Sequence, residues 1–329
     1  MLEEINICFR KEEKMNKILV LAEKPSVGRD IARVLKCSKK GNGYLEGDKY
    51  IVTWALGHLV TLADPEEYGQ QYKSWKIEDL PILPSKMKLV VIKQSKKQFY
   101  NVKEQMDRKD VNEIIIATDA GREGELVARW IIEKANIRKP IKRLWISSVT
   151  DKAIKDGFDK LKDGKQYENL YSSAVARAEA DWIVGINATR ALTCRYNAQL
   201  SCGRVQTPTL AMVAKKEEEI KNFKEKKFYG ISASTKDIKL IWRDNHTKDT
   251  RIFDEAKCDK ILASIERKDA KVIDVEKSYK KSYSPRLYDL TELQRDANKI
   301  FGYSAKETLS TMQRLYETHK ILTYPRTDS

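Results

Sequence analysis

Apolar and polar positions alternate in the same way at two places in the first half of the chain. An apolar run at residues 18–22 leads through a polar turn into a helix-period stretch over residues 27–35. The pattern returns at residues 113–118, before a helical stretch that contains Leu126, Trp130 and Ile131. Each repeat is typical of a buried strand that feeds a helix. Strands and helices in alternation predict an α/β domain with a parallel sheet over residues 16–149.

Helical patterns dominate residues 150–222. Thr150 is placed to cap a helix through Phe158 and Leu161, and residues 167–196 have the spacing of one or two long helices. The pair Thr207-Pro208 is typical of an N-cap followed by a first-turn proline, so another helix is expected to open there. These elements predict a separate helical domain.

The last third of the chain has two different patterns. Residues 223–283 contain short β-like runs at 228–231 and 240–242 and one helix near 255–266, which predicts a partial, β-rich domain. Over residues 284–329, capping boxes that start at Thr291 and Ser304 predict two helices, and Ile321–Tyr324 is expected to be a strand. This part resembles an incomplete winged-helix domain. The predicted fold class is therefore multidomain, α/β plus α.

Residues 1–15 differ from the rest. They mix charges and lack the apolar segment of a secretory peptide, and Met15 stands directly before the first strand. We interpret them as a disordered or misassigned N-terminal extension.

Charge and composition narrow the class of partner. The 329 residues include 63 basic and 48 acidic ones, a net charge of +15, which favours a polyanion such as nucleic acid. No apolar run approaches the roughly 18 residues that a membrane span needs. The five cysteines are scattered and never spaced C-x-x-C, which indicates a reducing cytoplasm. No P-loop sequence is present, so a nucleotide triphosphate is not expected as a substrate.

Acidic residues follow both predicted strands. Glu23 comes after the first, and Asp119 and Glu123 come after the second. Ligands of open α/β sheets bind beyond the carboxyl ends of strands, and Asp119 and Glu123 would share a face if the helix began at Asp119. Hard carboxylate oxygens suit Mg²⁺. The alternative is that Glu23 is a solvated turn residue and that the other two acids favour a helix N-terminus through its dipole.

Tyr324 and Arg326 lie two residues apart beside Pro325, which favours an extended backbone, so their side chains should project together. A tyrosine attacks phosphorus only with help from a base or a nearby cation, which Arg326 could provide. The alternative is an exposed loop with an ordinary tyrosine.

A loop of small residues precedes the helix expected at Pro208, and its backbone amides could contact phosphate. It consists of Ser201, Cys202, Gly203, Arg204, Val205 and Gln206. Arg177, Asp181 and Arg190 lie on the preceding helical stretch, where a solvated face with an Arg177–Asp181 ion pair is the alternative to a binding groove.

Together these motifs resemble a type IA DNA topoisomerase, in particular its bacterial topoisomerase III branch. Residues 22–26 and 119–125 are similar to the two acidic motifs of its Toprim domain, residues 200–208 to its single-strand-binding loop, and residues 324–328 to its active-site run. The motifs occur in the family's order, and the resemblance covers residues 16–329.

The resemblance implies a mechanism. Tyr324 would attack a DNA phosphodiester to form a 5′-phosphotyrosyl bond, Glu23 would protonate the leaving 3′-oxygen, and Lys24 and Arg326 would hold the phosphate. Glu23, Asp119 and Glu123 would bind Mg²⁺. His58, Arg177, Asp181, Arg190 and residues 201–206 would line a groove for single-stranded or underwound DNA. Strand passage and religation would then relax or decatenate DNA without ATP, in a monomer associated with the bacterial nucleoid.

Two departures from the family pattern leave other functions open. Gly121 stands where the family's acidic triplet has its middle acid, and the family's chain continues well beyond residue 329. A truncated, catalytically inactive single-stranded DNA-binding fragment is therefore the first alternative. The second is another Toprim enzyme, such as a primase or nuclease, which would not use a tyrosine.

Overall fold

The computed structural model describes residues 16–234 and 237–324. The predicted N-terminal extension over residues 1–15 and the predicted catalytic Arg326 both lie outside these residues. The backbone contacts divide the chain into two units. One consists of Met1–Val205 and Arg286–Ser329, and the other is Gln206–Pro285.

A seven-stranded mixed sheet forms the centre of the first unit, and its strand order is β2-β3-β4-β1-β7-β8-β9. The strands are β1 (Lys17–Ala22), β2 (Lys39–Gly41), β3 (Tyr44–Glu46), β4 (Tyr50–Trp54), β7 (Val111–Ala117), β8 (Ile141–Arg143) and β9 (Lys162–Asp163). A separate two-stranded sheet pairs β5 (Val60–Leu62) with β6 (Leu89–Val91). The predicted α/β fold with parallel strands is confirmed.

Parallel pairing is restricted to the middle of the large sheet. β4, β1, β7 and β8 run parallel, whereas β2, β3 and β9 pair antiparallel at the edges. The β2–β3 connection is Asn42-Gly43, and Gly43 has φ 79°, as a tight hairpin turn requires. A two-residue turn reverses the chain, so this edge cannot be parallel. The antiparallel edge strands are an addition to the parallel sheet that the sequence predicted.

Helices cover both faces of the sheet. They are α1 (Pro25–Val34), α2 (Lys96–Asp107), α3 (Arg122–Ala135) and α4 (Asp151–Asp159). Leu19 and Leu21 of β1 enter one buried apolar cluster, and Val20 and Ala22 enter another, because successive side chains of a strand point to opposite faces. Burial on both faces explains why this strand is a continuous apolar run.

A long helix, α5 (Glu168–Tyr196), packs against α3. Its side chains hold the backbone between β5 and β6: Trp182 Nε1 donates to Ala63 O at 3.0 Å. Asn187 makes two hydrogen bonds with the backbone of Ile82, at 2.6 and 3.0 Å. In the part of the chain that the structure describes, no helix combines the length and apolar composition of a membrane span.

Two helices follow the second unit in the sequence and belong to the first, namely α8 (Leu290–Phe301) and α9 (Ala305–Glu317). The capping box at Ser304 is confirmed, but α8 is capped by Asp289 rather than Thr291. The strand predicted over Ile321–Tyr324 is wrong, since these residues form no strand. Tyr324 N instead donates a backbone hydrogen bond to Ser147 O at 2.9 Å.

The second unit, Gln206–Pro285, contains α6 (Gln206–Lys221), β10 (Ser232–Ser234), β11 (Lys239–Ile241) and α7 (Glu255–Ile265). Its small core includes Ile231, Ile252 and Cys258. Helix α6 begins at Gln206, so Thr207 is not its N-cap as predicted. Within the described residues of this unit, the β-structure amounts to the β10–β11 pair and one bridge between Tyr229 and Ile252.

Candidate active site

The ends of two neighbouring parallel strands bring the first acidic residues together. Ala22, the last residue of β1, is in register with Ala117, the last residue of β7. Glu23 and Asp119 therefore follow at the same edge of the sheet, and Asp119 N donates to Glu23 Oε2 at 3.2 Å. Strand order alone places these two carboxylates side by side, although 95 residues separate them in the sequence.

The loop from Thr118 to Gly124 is tightly packed. Thr118 Oγ1 donates to Gly124 O at 2.8 Å, and a Cβ on Gly124 would collide with the carbonyl oxygen of Asp119. Only glycine fits at that position. Helix α3 begins at Arg122, so the expectation that Asp119 and Glu123 lie one turn apart on the same helix is wrong.

A buried ion pair supports this loop. Arg143 and Glu125 have fully buried side chains, and Arg143 Nε lies 2.5 Å from Glu125 Oε1. Arg143 also donates to the carbonyl oxygens of Ile116, Thr118, Leu144 and Asp119, the last at 2.7 Å. The backbone on both sides of Asp119 is thus held by one guanidinium. The sequence analysis did not identify this pair, because nothing in the spacing of Glu125 and Arg143 marks them as partners.

Tyr324 lies at the same edge of the sheet. It lines a cavity of about 210 Å³ together with Glu23, Lys24, Asp119, Leu309, Gln313 and Tyr316. Its ring centroid is 5.7 Å from Lys24 Nζ and 5.5 Å from the ring centroid of Tyr316. The structure therefore brings together three of the predicted catalytic residues, Tyr324, Glu23 and Lys24, and adds Tyr316, which the sequence analysis did not single out.

Burial and charge perturb the groups around this cavity. Burial, with the neighbouring Asp119 carboxylate, raises the pKa of Glu23 to about 7. Burial alone would lower the pKa of Lys24, but Asp119, Glu317 and Glu23 together raise it. At neutral pH, Glu23 is therefore close to half-protonated while Lys24 stays charged. Such a carboxyl can both donate and accept a proton.

Asp119 provides a test of whether the site suits a divalent cation. Its Oδ2 atom is buried, lies 3.7 Å from Lys24 Nζ and has no hydrogen-bond partner among residues 16–234 and 237–324. Buried carboxylate oxygens are normally paired, so this atom has room for a further cationic partner. Oxygen atoms of Glu23 and Asp119 are the ligand type that Mg²⁺ prefers, and these two residues fit such an ion.

The third predicted metal ligand lies elsewhere. The Glu123 side chain is 59% exposed and lies 3.8 Å from Arg177. Over the described ranges, no group of three or more His, Cys, Asp or Glu residues is arranged to hold a metal ion. Gly121 is extended, with φ 179°, and a Cβ there would meet open space.

A second cavity of about 350 Å³ lies between α3 and α5. Its polar lining includes His58, Glu123, Arg177 and Asp181. Burial lowers the pKa of His58, which favours its neutral form. Arg204, from the predicted phosphate-binding loop, pairs with Asp181 at 2.5 Å, and Arg177 lies 3.8 Å from Glu123. These contacts replace the Arg177–Asp181 ion pair that was the alternative to a binding groove.

The loop over residues 201–205 is anchored to α5. Cys202 N donates to Thr189 Oγ1 at 2.9 Å, and Val205 is 64% exposed. Ser201 and Gly203 lie in the same irregular stretch, whereas Gln206 opens α6 in the second unit.

Arg190 stands apart from both cavities. It is buried, its guanidinium lies 5.1 Å from the ring centroid of Trp75, and its Nη1 atom donates to Tyr72 O at 2.7 Å. These contacts fix the segment before β6, so the position of Arg190 differs from the groove surface that the sequence analysis expected.

Comparisons with known proteins agree with this architecture. The family model for the Toprim domain matches residues 18–149, and the model for DNA topoisomerase matches residues 165–329. The chain therefore belongs to the DNA topoisomerase family.

DNA topoisomerase 3 of Bacillus subtilis is 70% identical over 315 residues, and that of Bacillus cereus is 69% identical over 316. Each alignment covers 96% of this chain and 43% of the relative. The chain thus spans less than half the length of these curated relatives. Full-length topoisomerase I from Thermotoga maritima superposes with a TM-score of 0.63 at 25% identity, over 94% of this chain and 49% of that one.

Proposed function

We propose that the chain carries the cleavage site of a type IA DNA topoisomerase, of the topoisomerase III kind. The observation that carries the proposal is the shared cavity of Tyr324, Glu23, Lys24 and Asp119. These residues come from three separate segments of the chain, and each type suits one part of a phosphoryl transfer to tyrosine. The names of the similar proteins support the same reaction class.

In the proposed step, the Tyr324 oxygen attacks a backbone phosphorus of single-stranded or underwound DNA. The phenol loses its proton to water, the new P–O bond leaves a 5′-phosphotyrosyl linkage, and the bond from phosphorus to the 3′-oxygen breaks. Glu23 gives its proton to that oxygen; in the chain without a bound ion, its raised pKa of about 7 leaves it partly protonated at neutral pH. Lys24 holds the phosphate, with Arg326 as a second cation. Religation reverses each transfer, so no nucleotide triphosphate is consumed.

Glu23 and Asp119 would hold Mg²⁺. Glu123, which lines the other cavity in the chain without metal, stays the predicted third ligand. A bound ion would offset negative charge on the phosphate and on the two carboxylates. In the chain itself, Lys24 already neutralises part of that charge, since it lies 3.7 Å from Asp119 Oδ2. The metal and the chain's own cation would therefore act on the same cluster of anions.

DNA would reach this site along the cavity between α3 and α5. His58, Arg177 and Asp181 line it, and Arg204 brings the loop over residues 201–205 to its side. Cations and amides of this kind bind the backbone without reading sequence. We place the reaction in the bacterial cytoplasm at the nucleoid, with the protein acting as a monomer and relaxing or decatenating DNA.

Adduct formation tests the proposal. A single-stranded oligonucleotide labelled at its 3′ end should become covalently attached to the chain with Mg²⁺ present, whereas a 5′ label should leave on a shorter fragment. Tyr324→Phe should abolish the adduct and spare binding. Tyr316→Phe is the matched control, because its ring lies 5.5 Å from that of Tyr324 in the same cavity.

A second candidate function is the binding of single-stranded DNA without cleavage, because the cavity between α3 and α5 has its own polar lining and does not include Tyr324. The chain would then bind DNA without cutting it. Binding of the oligonucleotide by the unsubstituted chain, with no adduct for either label, would support this function over the first.

A further inference from the structure

Glu317 is a third carboxylate next to the catalytic cavity. It forms an ion pair with Lys24, the lysine that the proposed reaction needs to bind phosphate. Lys24 Nζ donates to Glu317 Oε1 at 3.0 Å, closer than its 3.7 Å approach to Asp119 Oδ2. Gln313 Nε2 donates to the same Glu317 oxygen at 2.8 Å. The ammonium assigned to hold a DNA phosphate is thus already paired with an anion of the protein.

Both members of this pair lie at helix ends that disfavour their charge. Lys24 is the N-cap residue of α1, and helix N-termini carry a partial positive charge. Glu317 is the last residue of α9, and helix C-termini carry a partial negative charge. Either charge alone would be destabilised by its own helix, so each one needs a partner of opposite sign. In the structure, Lys24 and Glu317 are partners in one ion pair.

A second ion pair joins the same two helices. Lys320, in the turn after α9, lies with its Nζ 2.6 Å from Asp30 Oδ1 in α1. The buried ring of Tyr316 also packs into the apolar cluster that contains Val27 and Ile31 of α1. The end of α9 is therefore tied to α1 by two ion pairs and an apolar contact.

An arriving phosphate would change the balance at Lys24. With Glu317 in place, three carboxylates, those of Glu23, Asp119 and Glu317, surround a single ammonium. A phosphate would add a further negative charge to that group at short range, where like charges repel strongly. Glu23 and Asp119 follow strands of the sheet, whereas Glu317 lies on α9, so Glu317 is the one that can leave without disturbing the sheet edge.

We propose that Glu317 is a resident competitor of the DNA phosphate: it pairs with Lys24 in the free chain and is displaced when a backbone phosphate binds there. Its displacement removes one of the two ion pairs that tie α9 to α1. This inference rests on the proposed function, because it takes Lys24 as the phosphate-binding group. Glu317 acts through Lys24 and is a positioning residue, not a catalytic one.

Equilibrium binding of a fluorescent single-stranded oligonucleotide, without Mg²⁺ and at low salt, tests the competition. Glu317→Gln keeps the side-chain shape and removes the charge, and we expect it to bind about tenfold more tightly than the unsubstituted chain. Glu104→Gln is the matched control, since it removes the same charge from an exposed position on α2. In a Lys24→Met background, Glu317→Gln should give no gain.

Hydrogen exchange of residues 305–317 provides the second measurement. Adding oligonucleotide should speed exchange in α9 of the unsubstituted chain, whereas Glu317→Gln should show the faster exchange before any DNA is added. An affinity gain no larger than that of Glu104→Gln, or one that persists with Lys24→Met, would overturn the inference and leave the proposed function standing. If the unsubstituted chain binds no oligonucleotide, the inference about Glu317 and the proposed function are both contradicted.

Discussion

The buried pair of Arg143 and Glu125 leads to a quantitative prediction. Glu125→Gln keeps the shape of the side chain and removes its charge, so the Arg143 guanidinium stays buried with carbonyl oxygens as its acceptors. Breaking one partner of a buried ion pair usually costs about 3–5 kcal/mol. Because glutamine retains one acceptor for Arg143 Nε, we expect about 3 kcal/mol, a large part of the roughly 5–15 kcal/mol that stabilises a typical domain.

The chain offers a matched control next to Arg143 on β8. Glu113 of β7 pairs with Lys142 of β8 at 3.1 Å, one residue before Arg143, and that lysine side chain is 47% exposed. Because exposed pairs contribute little, Glu113→Gln should cost less than about 1 kcal/mol. Urea unfolding followed by far-UV circular dichroism gives both free energies, provided that the slope of the transition is unchanged.

A double substitution separates charge from hydrogen bonding. Arg143→Met together with Glu125→Gln removes the fully buried guanidinium along with the carboxylate. It leaves the carbonyl oxygens of Thr118 and Asp119 without their donor, and Arg129, the second partner of Glu125 at 2.8 Å, without its carboxylate. We therefore expect the double variant to remain less stable than the unsubstituted chain, by roughly 1–3 kcal/mol. Equal costs for Glu125→Gln and Glu113→Gln, or full recovery in the double variant, would refute the role given to this pair.

The remaining predictions concern other parts of the first unit. Hydrogen bonds from Arg108 and Lys17 hold the pKa of Glu46 at about 2 in the folded state, against 4.5 for the free group. Its ionisation therefore stabilises the fold above the unfolded pKa, and this contribution is lost as the pH falls through the folded pKa. By urea unfolding, the unsubstituted chain should have a higher free energy of unfolding than Glu46→Gln, and this difference should shrink by about 2 kcal/mol from about pH 6 to about pH 3. A difference that stays constant with pH would contradict this. Gly121→Asp should tighten Mg²⁺ binding, measured by calorimetry, because a side chain there meets open space next to Asp119; unchanged or weaker binding would count against the assigned metal position. Gly124→Ala should lower adduct yield and Mg²⁺ affinity together, since its Cβ would displace the Asp119 carbonyl. Oligonucleotide affinity should fall steeply with salt, and a flat response would argue against backbone contacts.

The acidic residues at the strand ends could be predicted from local patterns in the sequence. The apolar runs identified β1 and β7, and parallel pairing then puts Glu23 and Asp119 at one edge, because the side chains that follow adjacent parallel strands lie close together. The capping box at Ser304 could also be predicted, because its two partners, Ser304 and Glu307, are only three residues apart in the sequence. In each case the decisive interaction is local or follows from sheet topology.

Long-range pairs could not be predicted. Glu317 meets Lys24 across 293 residues, and Arg143 meets Glu125 in a fully buried position that a charged residue rarely occupies. A single sequence gives no sign of such partners. Arg190, which the sequence predicts in a DNA groove, contacts Tyr72 and Trp75 in the structure, and its position relative to DNA stays a prediction. The start of α3 at Arg122 was also missed, because the Arg143 side chain from β8 holds the Asp119 carbonyl in the loop.

The most direct test of the central claim is to locate the covalent bond. After reaction with a single-stranded oligonucleotide and Mg²⁺, trypsin cleaves after Arg314, Lys320 and Arg326, which puts Tyr316 and Tyr324 in different peptides. Mass spectrometry of the digested adduct should show the nucleotide mass on the peptide of residues 321–326. A nucleotide on the peptide of residues 315–320, or an adduct that survives Tyr324→Phe, would contradict the assignment of Tyr324 as the nucleophile.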